Sequence, residues 1–200
     1  LDAGKPDAGP LVLEFFFDSC TPAAKTMCEV ATGIASARRN GPAVEAPVRH
    51  VAVSLDPEEV STAEVRRRLA SFGGVGTLVR DPQATAARAL GLDSFPATVI
   101  VAADGTVADV IVGDREGIAA DVAETLAALA RGASTVELVR GRHRRRLDDY
   151  RRTLDRAAGG DDRTLPEQVV APRRQPDRFK LEPSWRAAVA LPGNVVCLDA

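Results

Sequence analysis

"LVLEFFFDSCTPAAKTMCEV", residues 11–30, decides how the rest of the chain is read. An apolar run broken only by Glu14 stops at Asp18-Ser19-Cys20, and Pro22 follows. The run reads as a buried strand. Pro22 has no N–H to leave unpaired in a first helical turn, and Met27, Val30, Ala31 and Ile34 then recur at helical spacing. Cys20 therefore falls between a strand and the head of a helix, where unpaired N–H groups and the helix dipole favour a thiolate over a thiol. Lys25, about one turn further in, would add positive charge. The competing expectation is inert, because lone cysteines are among the most buried residues and behave as small hydrophobes.

Outward from this stretch the elements alternate. "VRHVAVSLD" (48–56) reads as a second strand, and Ser61 or Thr62 caps a helix with Glu64 in its first turn and Val65 and Leu69 facing inward. The short segment "GTLVRD" leads to Pro82 and an alanine-rich helix over 83–90. "ATVIVAADGTVADVIVG" (97–113) is a hairpin signal, two β-rich runs flanking Asp104-Gly105. A helix over 116–130 carries Ile118, Val122, Leu126 and Leu129 on one stripe. Parallel βαβ connections plus an antiparallel hairpin predict an α/β fold with a central mixed sheet flanked by helices.

After Gly132 the composition changes. "LVRGRHRRRLDDYRRTLDR" (138–156) carries nine basic residues, His143 included, against three aspartates, with Leu147, Tyr150 and Leu154 in one narrow apolar seam. This predicts an amphipathic helix lying on the domain with a solvated arginine face; docking of a partner domain on it is the sharper alternative. With no aromatic platform beside the charge, nucleic-acid or lipid binding is disfavoured. The expected organisation is a flexible segment over 1–10, the α/β domain over 11–132, an arginine-rich helical extension over 133–158 and a proline-broken linker over 159–180. Residues 181–200 read as the start of a further β element or as a docked strand, so the appendage is helical, then extended.

The bulk properties exclude several classes. A net charge of −2 argues against a nucleic-acid binder. No apolar stretch approaches the roughly 20 residues of a membrane span. The chain opens at Leu1 with no targeting segment, which reads as a processed or trimmed piece. Three cysteines, at 20, 28 and 197, are too few for a disulfide scaffold. Cys28 lies about 12 Å along the same helix from Cys20, too far for a bond, and reads as core filler. Cys197 reads as a buried residue of the C-terminal strand. His50 and His143 make no metal-ligand cluster, and Gly73, Gly74 and Gly76 lack a phosphate-loop pattern; no cofactor is expected. Asp56, Glu58 and Glu59 read as a loop and helix start. Glu14 reads either as a partly buried carboxylate near Cys20 that relays protons or as a strand-edge residue. Phe95-Pro96 must mark a strand entry, since proline cannot occupy a central ladder position.

Residues 11–131 resemble the thioredoxin superfamily, in particular the TlpA/ResA-like thiol–disulfide oxidoreductases and their alkyl hydroperoxide reductase/thiol-specific antioxidant relatives. The resemblance rests on "DSCTPA", "VAVSLDPEEVSTAEVRRRLASFG" and "LVRDPQATAARALGLDSFPATVIVAADGTVADVIVG" in this order. It implies a thioredoxin-like fold and a periplasmic or secreted location. It places Cys20 on the attacking cysteine, Pro22 on the helix-start proline, and Pro96, preceded by Phe95, on the cis-proline facing the active site. Ser19 stands where tryptophan is usual, and Ala23 replaces the resolving cysteine. Without that thiol a mixed disulfide on Cys20 has no local route of release. The resemblance thus implies one of two things. The first is monothiol exchange at Cys20 with a protein or small-molecule thiol or disulfide, resolved by Cys197 or an outside thiol. The second is a catalytically inactive fold kept as an interaction or scaffold domain. The tail resembles multidomain bacterial redoxin-like proteins in which such a domain precedes a repeat or β-propeller.

Overall fold

The computed structural model describes residues 9–40, 47–73, 77–158 and 196–197. Residues 1–8 of the expected flexible start over 1–10, the linker and most of the last 20 residues lie outside the described residues. The elements are β1 (Leu11–Phe16), α1 (Thr21–Asn40), β2 (Arg49–Ser54), α2 (Thr62–Ser71), β3 (Thr77–Arg80), α3 (Thr85–Ala89), β4 (Ala97–Val101), β5 (Val107–Val112), α4 (Ile118–Ala130), α5 (Val136–Ala158) and β6 (Val196–Cys197).

The apolar run of 11–16 takes an interior place in the sheet, because every one of its residues is buried. The strand order is β5-β4-β1-β2-β3-β6. β1 runs parallel to β2 and antiparallel to β4, β2 and β3 are parallel, and β4 and β5 form the expected antiparallel hairpin. Side chains alternate between the two faces of a strand. Leu11, Leu13 and Phe15 join Val51, Val53, Val79 and Val99 in one cluster, closed by Ala86 and Ala87 of α3. Val12 and Phe16 point the other way, beneath α1, α2 and α4. This is the mixed sheet flanked by helices that the sequence predicts. "GTLVRD" supplies a strand as well as a connection, with four residues too short to show alternation.

α2 begins where the hydroxyl of Ser61 accepts from the Glu64 N–H and the Glu64 carboxylate accepts from the Ser61 N–H, a reciprocal capping box. Ser61→Ala is expected to lower stability by about 1 kcal/mol, read as a lower urea midpoint at unchanged slope. α3 starts two residues later than the alanine run suggests. Its first-turn N–H groups, those of Thr85, Ala86 and Ala87, all donate to the buried Asp81 carboxylate at 2.7, 3.0 and 3.4 Å.

α1 and α4 cross at Gly33, which is buried, and a Cβ there would meet the Ala119 carbonyl oxygen at 2.6 Å. α5 corrects the expectation of a wholly solvated arginine face. Arg142 is 5% exposed. Its guanidinium donates to Asp109 Oδ2 at 2.7 Å, Thr125 Oγ1 at 2.6 Å and the Asp121 carbonyl at 3.0 Å. Arg146 and Arg115 also pair with Asp121. Burial alone would raise the Asp121 carboxyl, but Arg115, Arg142 and Arg146 together hold it below the ordinary carboxylate range. Leu147 and Tyr150 are half-buried and belong to none of the three apolar clusters. The helix is thus tied to β5 and α4 by ions, while five of its arginines (140, 144, 145, 151 and 152) are exposed as expected.

Candidate functional site

β1 ends at Phe16, and the chain turns through Phe17, Asp18 and Ser19 to bring Cys20 to the head of α1. The Cys20 N–H donates to the Phe17 carbonyl, and the Cys20 carbonyl accepts from the Ala23 N–H, both at 3.0 Å. Ser19, Thr21 and Pro22 are exposed, whereas Cys20 is half-buried against the cluster of Phe16, Met27, Ala52, Val65 and Leu69. Ala23 lies fully within that cluster, at 0% exposure.

A second loop approaches from β4. The Phe95–Pro96 peptide bond is cis, and the Pro96 carbonyl accepts from the Gly113 N–H at 2.8 Å. The Phe95 ring meets the Phe17 ring edge to face, centroids 5.5 Å apart. This aromatic contact joins the turn before Cys20 to the corner before β4. Lys25 pairs with Asp114 at 2.9 Å, and that hydrogen bond, reinforced by the Asp114 charge, raises the ammonium above the ordinary lysine value. The positive charge expected to act on Cys20 is therefore also engaged by the loop after β5.

The turn is held from below by Asp56, whose place in the sequence predicts only a loop. Asp56 is buried, and its Oδ1 accepts the Asp18 N–H at 2.8 Å while Oδ2 accepts the Ser54 hydroxyl at 2.8 Å. Arg80, also buried, donates to the carbonyls of Asp56, Pro57 and Val60 and to Thr62 Oγ1, fixing the loop that carries Asp56. No local pattern marks Asp56, because Asp18 is 38 residues away in sequence.

Two other expectations change, those for Cys28 and Glu14. Cys28 is exposed, not core filler; α1 buries its 23-27-30-34-37 face, and position 28 falls outside it, with Sγ 3.6 Å from the Phe72 carbonyl. Glu14 cannot be a strand-edge residue, since β1 is interior. It is 3% exposed and bound to His50 Nε2, one strand over. Cys197 pairs in register with Arg80 on the outer side of β3. Phe16, Ser54, Arg80 and Cys197 form one row across four strands. At about 4.8 Å per strand this sets the Phe16 and Cys197 backbones roughly 14 Å apart. Among the described residues there is no cluster that could hold a metal ion, and no helix is long and apolar enough to cross a membrane.

A scan against protein-family models finds no match, and no curated protein matches the chain. Solved structures do. A candidate protein disulfide isomerase from Bacteroides thetaiotaomicron superposes with a TM-score of 0.52 at 16% identity, over 63% of this chain and 76% of that one. A candidate thiol:disulfide interchange protein DsbE from Chlorobium tepidum gives 0.51 at 20% identity, over 62% of this chain and 82% of that one. Identity at this level speaks to architecture alone. The chain has a thioredoxin-like α/β fold, and Cys20 and Cys28 are free thiols that form no disulfide with each other.

Proposed function

We propose that this chain is a redoxin-type thiol protein of the TlpA/ResA-like kind, working by monothiol exchange at Cys20. The observation that carries the reading is the Phe17–Phe95 contact, which sets the turn of Cys20 against the corner of the cis Pro96. In this mechanism the Cys20 thiolate attacks a disulfide R–S–S–R′. The Cys20–S–S–R bond forms as the S–S bond breaks, and R′S⁻ leaves. With Ala23 supplying no sulfur, an outside thiolate R″S⁻ attacks the mixed disulfide, takes R as R–S–S–R″ and returns the Cys20 thiolate. Pro96 and Phe95 would shape the groove for an extended substrate, with Ser19 and Pro22 at its rim and Lys25 beside it. Cys197, on the strand beside β3, is the internal alternative to that outside thiolate. A periplasmic or secreted setting belongs to the same proposal, as does the division into a redoxin body over 11–132 and an extension over 133–158.

A second reading, an interaction module without catalysis, is favoured by the half-buried Leu147 and Tyr150 on α5, which suit a partner domain. The two separate in one experiment. The folded protein is treated with glutathione disulfide and then with iodoacetamide, and each cysteine is followed by mass spectrometry. Monothiol exchange predicts a glutathionyl adduct on Cys20, reversed by excess reduced glutathione, with exposed Cys28 as the internal reference. Labelling of Cys28 with Cys20 untouched would sink the catalytic reading and leave the interaction module.

A further inference from the structure

We infer that Asp56 is a positioning residue for Cys20, acting through the backbone of the turn that precedes it; the inference rests on the proposal that Cys20 is the reacting thiol. Asp56 follows β2 by two residues and is 3% exposed, so its carboxylate would be costly to bury without partners. Its two oxygens have separate tasks. Oδ2 takes the hydroxyl of Ser54, the last residue of β2, and the same hydroxyl accepts the Asp56 N–H at 3.3 Å, which fixes the carboxylate to its own strand. Oδ1 reaches the Asp18 N–H at 2.8 Å. Hydrogen bonds to an ionised acceptor are among the stronger ones, and this one pins the middle of a turn whose other fixed point is the Cys20 N–H on Phe17 O.

The carboxylate is itself held in place. Four donations from Arg80 fasten the 56–62 loop to β3, and the Leu55 N–H bonds the Phe16 carbonyl at 2.9 Å, tying the ends of β2 and β1 together. The direction of Cys20 over the first turn of α1 is thus set by a chain of bonds from β3 through Asp56 to Asp18. A side chain here influences the sulfur without touching it.

Charge and position are separable by two substitutions in the full chain. Asp56→Asn keeps an oxygen for the Asp18 N–H and offers an N–H to Ser54 Oγ, which has acceptor capacity, while deleting the charge. Asp56→Glu keeps the charge and displaces the oxygens by one methylene. The readout is the ratio of Cys20 to Cys28 iodoacetamide labelling rates in one sample, with circular dichroism and amide exchange at Asp18 alongside. Positioning predicts a near-native ratio in Asp56→Asn, and in Asp56→Glu a ratio lower by roughly tenfold, the scale of one lost charge-assisted bond, with faster Asp18 exchange. A native ratio in Asp56→Glu, or an equal fall in both variants, would overturn the inference while leaving monothiol chemistry standing. An unreactive Cys20 in the unaltered protein would instead overturn the proposed function, and the positioning role with it.

Discussion

Arg142→Met is expected to destabilise the protein by about 3–5 kcal/mol, the scale of removing one partner from a buried ion pair. The loss is not that of one surface contact. Asp109 is buried and loses its 2.7 Å guanidinium partner, keeping only the Thr125 hydroxyl at 3.0 Å. Burial already pushes the Asp109 carboxyl above the ordinary range, against the pull of Arg142 and Thr125. A group with a raised folded value contributes stability below its unfolded value and loses that contribution as pH rises through the folded one. Without Arg142 the folded value climbs further, so the defect should be largest at neutral pH and shrink in mild acid, where Asp109 holds its proton. Asp121 acts with the opposite sign, its contribution being present above the unfolded value and lost as pH falls through the folded one, but it retains Arg115 and Arg146 in the variant. Urea titrations at several pH values measure this. The double variant Arg142→Met/Asp109→Leu is expected to recover most of the loss, because an apolar pair of similar volume needs no ion. Failure to recover would place the cost in packing, not in an abandoned carboxylate.

Gly33→Ala is expected to cost about 3 kcal/mol, at the upper end of overpacking effects. Two effects oppose each other at this position. Alanine is favoured over glycine in a helix interior by about 1 kcal/mol. The new Cβ, however, would stand 2.6 Å from the Ala119 carbonyl oxygen and 2.8 Å from Val122 Cβ. Neither neighbour is the tip of a flexible side chain, so α1 and α4 must separate and the clash wins. Gly141→Ala on α5 is the control, since its nearest neighbour would be the mobile end of Arg145 at 3.6 Å. There propensity alone should act, raising stability by about 1 kcal/mol. Urea midpoints that move in opposite directions for the two variants would bear out the α1–α4 contact.

The elements legible in the sequence were those with local causes. The strand–turn–helix of 11–40 announces itself through an apolar run, a helix-start proline and a stripe at helical spacing. The hairpin shows through its two β-rich runs and Asp104-Gly105, where Gly105 takes a φ of 84° and the Asp104 carboxylate accepts from the Thr106 N–H and hydroxyl. The place of Cys20 at the head of α1 and the strand entry at Phe95-Pro96 were legible for the same reason. What stayed hidden depends on register. Glu14 and His50 meet because Val12 pairs with His50 across β1 and β2, placing the two side chains on one face at a diagonal. Asp56 depends on where β1 and β2 end relative to each other. Arg142 looks no different from its neighbours in an arginine-rich helix; only the position of Asp109, 33 residues earlier, selects it for burial.

The strand order has a consequence for synthesis of the chain. Of the described strands β1 is made first, yet its register joins Leu11 to Arg49 on one side and to Val101 on the other. Both contacts span long stretches of sequence, the kind that form slowly because loop closure precedes any gain. Until residues up to 101 have emerged, the apolar "LVLEFFF" has no complete set of neighbours. A segment with high β propensity and little charge is a site of self-association while it waits. Glu14, the only charge in that run, interrupts it during this interval and later becomes the buried partner of His50. One residue thus guards the nascent strand and joins two strands of the finished sheet.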